Sequence, residues 1–513
     1  MKKRHLILVP LLLLINSQIS ISQIPFHKTV GDTTENWANC IKRTGDGGYI
    51  LTGYANDSVY DDFDVYLVKM NASFELEWTK TYGGTNVEIG NSVIQTSDGG
   101  YVITGRFMSS TPPINMDVYI LKTDSIGNLT WSYTYGAQPI GYAEEGHKVF
   151  ETSDGGFVIA VENGLIKIDF NGIFQWQSTY NFGVTSMDET PDGGYVLGGR
   201  GYCGNSCILI ARLDSAGNLL WTHQYDDNTA VYSQDVLSTS DGAFVITGYG
   251  SISTSNTAII LMKADSTGGL LWYKEFNLQS RGAGYDVLES IDGGYVVMGR
   301  SYNGFSNAAA LVKTDNNGNV LWAKQYGSFG GDEYAISGLQ TNDGGYVFTG
   351  FTFGFGTIAG DIYLVKTDSL GFTNCNETNT VVTYLTPGVT DTSIIHSIDT
   401  TAFIAISYPV TVGSHGSDSL LCTLVGLAPN IDQSTVNIQI SPNPSNGQFT
   451  ISFNRILKNG TIEIYNSLGK MVYSNHFVNA FSTEINNGNF SSGIYFISVN
   501  DNEKYYFEKV IVE

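Results

Sequence analysis

Short runs of alternating apolar and polar residues recur along most of the chain, and tight turns separate them. One set comprises residues 91–97 (NSVIQTS), 101–106 (YVITGR), 117–124 (DVYILKTD) and 127–136 (GNLTWSYTYG). A period of two, in segments rich in β-branched and aromatic residues, is typical of β-strands. The pattern therefore predicts a unit of four strands joined by tight turns.

This unit repeats along the chain. Each copy is marked by an Asp, two small residues and an aromatic residue, as in Asp-Gly-Gly-Tyr. The marker Asp residues are Asp46, Asp98, Asp154, Asp192, Asp241, Asp292 and Asp343. A repeat of about 50 residues with four strands is typical of a propeller blade. We therefore predict that residues 23–375 form a seven-bladed β-propeller of four-stranded blades.

The last unit is incomplete, which suggests how the ring closes. Six units end in a strand that carries a Trp, and these are Trp78, Trp131, Trp176, Trp221, Trp272 and Trp322. The seventh unit lacks this strand, and residues 26–31 (FHKTVG) have a suitable pattern. We expect residues 26–31 to supply the outermost strand of the last blade, because such a closure removes exposed sheet edges.

The marker Asp occurs in every unit, and this favours a structural role. An Asp in a tight turn hydrogen-bonds the turn backbone, and the following Gly tolerates a positive φ. Seven calcium ligands or catalytic acids would be an alternative interpretation. A residue that each blade needs usually serves the blade, so we predict turn stabilisation.

The N-terminus carries an export signal. Lys2, Lys3 and Arg4 precede an apolar run from Leu6 to Ile15, and small residues follow. This order is typical of a secretory signal peptide, and the run is too short for a membrane span. We predict a signal peptide at residues 1–22 and no transmembrane segment.

Five cysteines fit an exported chain, since disulfides form outside the cytoplasm. Cys203 and Cys207 lie four residues apart and can clip one loop. Cys375 and Cys422 bracket a separate segment and are a second candidate pair. Cys40 is left over, and we expect it to be buried.

Composition excludes several classes of function. The chain has 26 Lys+Arg against 49 Asp+Glu, a net charge of -23. No basic stripe is present to neutralise phosphates, so nucleic acid is not an expected partner. The sequence contains no P-loop, GxSxG or HExxH motif, and we predict no cofactor. The acidic run Asp61, Asp62 and Asp64 lacks EF-hand spacing, so we predict no metal site.

One face of the predicted propeller carries variable loops, where binding usually lies. Arg106, Arg200 and Arg300 each follow the Gly that ends a second strand. Three convergent guanidinium groups would suit a carboxylate, as in an acidic sugar. Alternatively, each Arg pairs with a neighbouring acid.

Acidic residues occupy the connections between blades on the same face. They are Glu88, Glu144, Glu145, Asp332 and Glu333, with Trp37, Tyr142 and Tyr334 nearby. Paired carboxylates beside aromatic residues would suit a glycosidase. The sequence gives no separation between them, so this remains the alternative to simple binding.

The C-terminal third has a different character. Residues 376–435 are rich in Thr and Ser and are either a linker or a small β extension. From residue 436, short alternating strands predict a small immunoglobulin-like β-sandwich. Its motif residues are Pro442, Asn443, Pro444, Gly447, Tyr465, Gly469, Gly493, Tyr495 and Lys509.

These residues resemble the type A C-terminal sorting domain of the type IX secretion system. The resemblance covers residues 436–513. It implies export across the inner membrane, then recognition by the type IX machinery and its sortase-like protease. It also implies release from, or attachment to, the outer surface of a Gram-negative bacterium.

We therefore expect a secreted or cell-surface propeller that binds or adheres to a glycan or a surface protein. The alternative is a surface hydrolase or lyase that acts on acidic polysaccharide through the variable face. The two differ in whether carboxylates and the three arginines meet around the centre of that face.

Overall fold

The computed structural model describes residues 24–512 apart from short gaps. The gaps are 58–61, 111–114, 137–143, 254–255, 329, 357–358, 374–375, 386–387, 395–397, 400–403, 407–410, 415, 424–437, 442–444, 446, 467–469, 487–489 and 501–504. The predicted signal peptide at residues 1–22 lies outside the described residues. The described residues form strands and turns, with no helix, and the chain divides into two compact units at residues 424 and 425.

The first unit is all-β. Its strands are β1 (Phe26–Gly31), β2 (Asn36–Arg43), β3 (Tyr49–Asp57), β4 (Asp62–Met70), β5 (Leu76–Gly83), β6 (Val87–Gln95), β7 (Tyr101–Met108), β8 (Met116–Thr123), β9 (Leu129–Gly136), β10 (Gly146–Glu151), β11 (Phe157–Val161), β12 (Gly164–Ile168), β13 (Phe174–Tyr180), β14 (Gly183–Glu189), β15 (Tyr195–Tyr202), β16 (Ser206–Leu213), β17 (Leu219–Asp226), β18 (Val231–Ser238), β19 (Phe244–Ser253), β20 (Asn256–Ala264), β21 (Leu270–Leu278), β22 (Ala283–Glu289), β23 (Tyr295–Tyr302), β24 (Asn307–Thr314), β25 (Val320–Tyr326), β26 (Glu333–Gln340), β27 (Tyr346–Thr352), β28 (Asp361–Thr367), β29 (Glu377–Asn379), β30 (Val382–Leu385), β31 (Thr390–Ile394), β32 (Ile398–Asp399), β33 (Ile404–Ile406), β34 (Thr411–Gly413) and β35 (Ser417–Thr423).

These strands form seven antiparallel sheets of five strands each. In chain order, sheets 1 to 6 run β2-β3-β4-β5-β34, β6-β7-β8-β9-β33, β10-β11-β12-β13-β32, β14-β15-β16-β17-β31, β18-β19-β20-β21-β30 and β22-β23-β24-β25-β29. Sheet 7 runs β26-β27-β28-β1-β35. The first four strands of each sheet are the repeated unit of the sequence, and the arrangement is propeller-like.

The N-terminal strand joins the last sheet, as the sequence suggested, but it is not outermost. Strand β1 pairs with β28, and Phe26 lies opposite Lys366. Strand β35 then pairs with the other edge of β1. The edge of β1 is therefore covered by residues from much later in the chain.

Residues 377–423, which we call the belt, supply the fifth strand of all seven sheets. The belt adds strands to sheets 6, 5, 4, 3, 2, 1 and 7 in that order. Each belt strand pairs antiparallel with the fourth strand of its sheet. The belt therefore covers edges that would otherwise expose unpaired backbone groups.

Apolar cores lie between successive sheets. The core between sheets 1 and 2 joins Ile50 and Leu67 to Ile103 and Leu121. Similar cores join each later pair of sheets. One further core joins Val347 and other residues of sheet 7 to sheet 1. Every sheet thus buries both of its faces against neighbours.

The marker Asp has the predicted turn role, and it also binds a cation. Asp46 Oδ1 accepts a hydrogen bond from the Gly48 N–H at 2.9 Å, and Gly47 has φ +84°. In all seven turns a cation of the third strand pairs with this carboxylate at 2.5–3.1 Å; these cations are Lys69, Lys122, Lys167, Arg212, Lys263, Lys313 and Lys366. The Thr44 hydroxyl and Lys69 hold the pKa of Asp46 at about 2, although partial burial opposes this.

The Trp strands tie each sheet to the next. The Tyr82 hydroxyl of sheet 1 donates a 2.6 Å hydrogen bond to the Gly127 carbonyl in a turn of sheet 2. A Cβ on Gly127 would lie 3.0 Å from the Trp78 ring, so Gly leaves room for that ring. The same Tyr-to-turn bond is made from sheets 2, 3, 4 and 6, whereas sheet 5 has Phe276 at this position.

The second unit is a smaller β structure. Its strands are β36 (Ile438–Ser441), β37 (Gln448–Asn466), β38 (Met471–Asn486), β39 (Gly493–Asn500) and β40 (Tyr505–Val512). The sheet runs β36-β37-β39-β40, and β38 pairs with β37. Its core includes Phe449, Ile451, Ile462, Ile497 and Val510.

Candidate functional site

A β-bulge recurs at the same place in all seven sheets and shapes one face of the first unit. Each first strand carries one extra residue opposite the second strand, as between Ser233 and Asp235. Gly248 lies beside this bulge, and a Cβ there would stand 1.9 Å from the Tyr232 carbonyl oxygen. The same close approach explains Gly53, Gly105, Gly199, Gly299 and Gly350. Bulges re-aim neighbouring side chains, and they do so here for the residue that follows the Gly.

That residue, eight positions after the marker Asp, defines what we call the mouth ring. Its members are Tyr54, Arg106, Glu162, Arg200, Tyr249, Arg300 and Phe351. They lie on the variable face, the side on which second strands lead to third strands and one sheet leads to the next. The three predicted arginines are therefore equivalent positions in sheets 2, 4 and 6.

Aromatic side chains connect several members of the mouth ring. Trp37 stacks on Phe351 at 3.6 Å between ring centroids, and it also stacks on Tyr54 at 5.4 Å. Phe351 in turn stacks on Tyr334 at 4.3 Å. In sheet 5, Tyr232 stacks on Tyr249 at 5.0 Å.

Arg200 and Arg300 extend this aromatic surface. The Arg300 guanidinium lies 5.2 Å from the Tyr334 ring, and its Nη1 donates to the Tyr334 hydroxyl at 3.1 Å. The Arg200 guanidinium lies 5.0 Å from the Tyr232 ring. We call this surface, from Tyr54 through sheets 7, 6 and 5 to Arg200, the aromatic arc.

Arg106 has a different environment from the other two arginines. Its Nη1 lies 3.9 Å from Glu145 Oε2. The alternative of a neighbouring acid therefore holds for Arg106, whereas Arg200 and Arg300 have aromatic and polar partners.

A cavity of about 490 Å³ opens at the Arg200 end of the arc. Its walls include Glu162, Tyr180, Phe182, Arg200, Tyr202 and Tyr232. The second and third strands of sheet 3 meet in a two-residue turn, with Val161 opposite Gly164. The side of the cavity that sheet 3 forms is therefore short. The second and third strands of sheet 3 have five residues each, fewer than those of any other sheet, and this short hairpin leaves space beside sheet 4.

Gly183 also keeps this cavity open. It pairs with Arg200 across the sheet. A Cβ on Gly183 would lie 3.7 Å from the Arg200 Cβ and 3.8 Å from Glu162 Oε1. The equivalent position carries Trp37 in sheet 1, Tyr232 in sheet 5 and Tyr334 in sheet 7. A large side chain at Gly183 would therefore fill the cavity.

The predicted acidic residues lie apart from this cavity. Glu88 is 4% exposed, and burial together with the Asp64 and Asp62 carboxylates raises its pKa to about 8. Glu333 is fully buried, and burial raises its pKa to about 7. Asp332 accepts a 2.8 Å hydrogen bond from the Asn307 N–H.

Glu144 belongs to the same predicted group, and its backbone N–H donates to the Met116 carbonyl at 3.2 Å. The structure therefore separates Glu88 and Glu144 from Asp332 and Glu333, which lie at different sheets. Two of these acids are buried. None of the four lines the cavity at Arg200.

The first strands bring a second group of charges together. Lys148 of sheet 3 reaches past sheet 4 to Asp235 of sheet 5, with 3.1 Å between Nζ and Oδ1. Burial, then the Asp235 charge, raises the pKa of Asp286 in sheet 6 to about 7. Burial also opposes ionisation of Asp235, but Lys148 holds the pKa of Asp235 below its usual value. These groups occupy a confined space between first strands.

Two predictions about cysteine are confirmed in the described residues. Cys203 and Cys207 form a disulfide, and Cys40 is free and buried. Cys422 is also disulfide-bonded, and its candidate partner Cys375 lies outside the described residues.

Sequence reasoning missed Glu162 and Gly183. Counting eight residues from each marker Asp would have placed Glu162 among the mouth ring, because Asp154 is its marker. The sequence did contain an indirect sign of the cavity. Only 38 residues separate Asp154 from Asp192, which indicates a short sheet 3.

The described sorting-motif residues lie in the second unit. Gly447 has φ +92°, and its N–H donates to Ser445 Oγ at 3.2 Å. The Tyr495 hydroxyl donates to the Ser491 carbonyl at 2.9 Å. Tyr465 lies in β37, Gly493 begins β39 and Lys509 lies opposite Phe496 in β40. Pro442, Asn443, Pro444 and Gly469 lie outside the described residues.

Within the described part of the chain, no helix is long and apolar enough to cross a membrane. The same part holds no group of three or more His, Cys, Asp or Glu side chains suited to a metal ion.

Several solved structures resemble the chain weakly. A protein of unknown function from Bacteroides caccae is 12% identical over 48% of this chain and 93% of its own, with a TM-score of 0.34. A protein of unknown function from Dyadobacter fermentans is 12% identical over 67% and 99%, with a TM-score of 0.38. Sqt1 from Chaetomium thermophilum is 12% identical over 66% and 99%, also with a TM-score of 0.38. Such scores carry no functional argument.

Comparison by sequence gives a clear result for the second unit. No curated protein matches the chain. Residues 439–513 match the family described as the secretion system C-terminal sorting domain. The chain therefore carries a type IX sorting tail, which implies export to the cell surface or the medium and interaction with the secretion machinery.

Proposed function

We propose that this protein is an exported seven-bladed β-propeller that binds a glycan through its variable face. The seven sheets are the blades, and the belt completes each of them. The tail, an immunoglobulin-like sandwich at residues 436–513, serves as the sorting signal for the type IX machinery and its sortase-like protease. Residues 1–22 direct the first export step.

The aromatic arc carries this proposal. Partly buried rings such as Trp37, Tyr232 and Tyr334 are presented in series on a rigid scaffold. Aromatic rings offer large apolar faces at low entropic cost, with polar edges that remain wet. A series of such faces suits the successive pyranose rings of a glycan chain.

The same geometry gives less support to catalysis. Retaining and inverting glycosidases need two carboxyl groups about 5 to 10 Å apart around the bond they cleave. The one carboxylate among the residues that line the cavity is Glu162, which lies 3.3 Å from His147. The acids with raised pKa values, Glu88 and Glu333, are buried. A surface hydrolase or lyase therefore remains the second candidate.

A glycan array tests the proposal, with the chain from residue 23 to residue 513. We expect binding to a subset of glycans. Tyr232→Ala should weaken that binding about 5- to 10-fold, because one stacking platform is lost. Phe170→Ala, which removes an exposed ring from a turn between third and fourth strands, is the matched control and should bind normally.

Chromatography of the bound glycans after prolonged incubation separates binding from catalysis. We expect the glycans to be recovered intact. Cleavage that one carboxylate substitution abolishes would replace the binding function by the hydrolase or lyase. Absence of any glycan binding by the unchanged chain would contradict both the glycan-binding function and the hydrolase or lyase.

A further inference from the structure

We infer that the cavity between sheets 3, 4 and 5 binds a sugar unit that carries a carboxylate, with Arg200 as its receptor. This inference rests on the proposed function and names the ligand class for one end of the aromatic arc. The cavity, the charge of Arg200 and the flanking rings each support it separately.

The Arg200 side chain is held in place but keeps its charge available. Its Nε donates a 2.9 Å hydrogen bond to Ser206 Oγ. Its guanidinium lies 5.0 Å from the centre of the Tyr232 ring and 5.9 Å from that of the Tyr202 ring. No acidic side chain in the described parts of the chain forms an ion pair with it. In contrast, Arg106 has Glu145 and Arg212 has Asp192.

A guanidinium fixed at Nε presents its two terminal nitrogens as a planar fork. That fork matches a planar carboxylate in two parallel hydrogen bonds, which are stronger than bonds between neutral groups. Because the side chain is already ordered by Ser206 and Tyr232, little further entropy is lost when the ligand binds.

The remaining walls suit a pyranose ring. Tyr202 is 76% exposed, so its face is open to a ligand. Tyr180 and Phe182 also border the cavity, but their rings are buried and stack on each other at 5.1 Å, so they support the cavity from within the core. Asn163, Asn181 and Gln234 add carboxamide groups that can bond hydroxyls. A volume of about 490 Å³ lies within the range of small-ligand sites.

Glu162 limits the negative charge that the cavity accepts. It stands across Gly183 from Arg200, and its carboxylate pairs with His147 at 3.3 Å. One guanidinium can offset one acid group, whereas further negative charges would meet Glu162. The cavity therefore favours a single carboxylate over a densely sulfated unit.

Matched pairs of oligosaccharides test the inference with the whole chain from residue 23. The pairs are oligogalacturonate and its methyl ester, sialyllactose and lactose, and desulfated and sulfated heparin oligosaccharides. We expect at least one carboxylated member to bind about 10-fold more tightly than its ester or neutral counterpart, since an ionised acceptor strengthens the bond.

Two variants locate the effect. Arg200→Ala should abolish the preference for the carboxylated member, whereas Arg43→Ala, an exposed Arg bonded to Asn342 outside the cavity, should keep it. Gly183→Tyr should fill the cavity and block binding there. Its backbone φ is not in the left-handed region, and the new Cβ meets only ordinary contacts, so the variant should fold.

The possible outcomes are distinguishable. Equal binding of acid and ester, or an unchanged preference in Arg200→Ala, would overturn the inference and leave the glycan-binding function intact. Preference for the sulfated member would overturn the carboxylate assignment. If the unchanged chain binds no member of any pair, and no array glycan, the proposed function fails as well.

Discussion

The most unusual residues of the first unit are charged groups confined between first strands. Asp235 accepts hydrogen bonds from Lys148 Nζ at 3.1 Å and from Ser186 Oγ at 2.6 Å. Asp286 accepts one from the Gly338 N–H at 2.8 Å. When both acids are ionised, the single Lys148 ammonium neutralises only one of the two negative charges. Lys42 adds only a weaker favourable charge to Asp286. One proton is therefore retained on Asp286 near neutral pH.

This proton makes stability depend on pH in a defined direction. The folded pKa of Asp286, about 7, lies above its ordinary value of 3.8. The folded state therefore binds more protons between those values, and stability is lost as pH rises from about 4 to 7. Asp286→Asn removes the titration and keeps the hydrogen-bond acceptor. As pH rises from 5 to 8, we expect the variant to gain about 2–3 kcal/mol of stability relative to the unchanged protein.

Denaturant unfolding at pH 5 and pH 8 measures this change. Asp292→Asn is the control, because Lys313 and the turn hydrogen bonds hold the pKa of Asp292 at about 2, against the effect of burial. Its free energy of unfolding should fall by the same amount at both pH values. A gain for Asp286→Asn that does not depend on pH would contradict the retained proton.

At the scale of elements, the bulge explains why glycine ends the second strand. Gly248 allows the first strand to approach so closely that a Cβ would stand 1.9 Å from the Tyr232 carbonyl oxygen. Sheet 3 has Val161 at the equivalent position, and Gly146 lies opposite it. The glycine thus couples the bulge to the direction of the mouth-ring side chain that follows.

Gly248→Ala should lower the free energy of unfolding by about 2–4 kcal/mol, because backbone atoms must move to admit the methyl group. The Tyr232 and Tyr249 rings should shift with them, so glycan binding should weaken as well. Gly45→Ala is the control, since its Cβ would meet only Gln95 at 3.5 Å. Equal unfolding energies for the two variants would show that the bulge does not require glycine.

The sequence predicted the repeated elements well, because their signals are local. Alternation gave the four strands, and each marker Asp with its Gly gave the turn that the structure contains. The cations that pair with these Asp residues lie on another strand, as Lys69 does for Asp46, so the turn sequence alone does not reveal them. Glu162 was not recognised as a member of the mouth ring because the hairpin of sheet 3 is short. It nevertheless lies eight residues after its marker Asp154, as the other members do after theirs.

The strands of the belt could not be predicted from the sequence, and the reason is physical. Several of its strands have only two to four residues, as at Ile398–Asp399, which is too short for alternation to show. Their stability comes from sheets that lie up to several hundred residues away, such as the pairing of Lys28 with Leu420. Long-range pairing of this kind leaves no local pattern.

For the whole first unit, the belt acts as a hoop around all seven sheets. Its first strand begins at Glu377 on sheet 6, and its last strand ends at Thr423 on sheet 7. The Asn376 amide lies 3.6 Å from the Cys422 sulfur, so the two ends of the belt meet. Cys422 is disulfide-bonded, and we propose that Cys375 is its partner and that the bond closes the hoop.

Closing a hoop of this length should stabilise the first unit by about 2–4 kcal/mol, chiefly by restricting the unfolded chain. Cys422→Ser should therefore lower the free energy of unfolding and let a protease cut the belt before the sheets. The double variant Cys203→Ser/Cys207→Ser is the control, because that disulfide closes a loop of only four residues and should matter less. Limited proteolysis with mass spectrometry, in parallel with denaturant unfolding, follows both effects. Unchanged stability and an intact belt in Cys422→Ser would show that strand pairing alone holds the belt on the sheets.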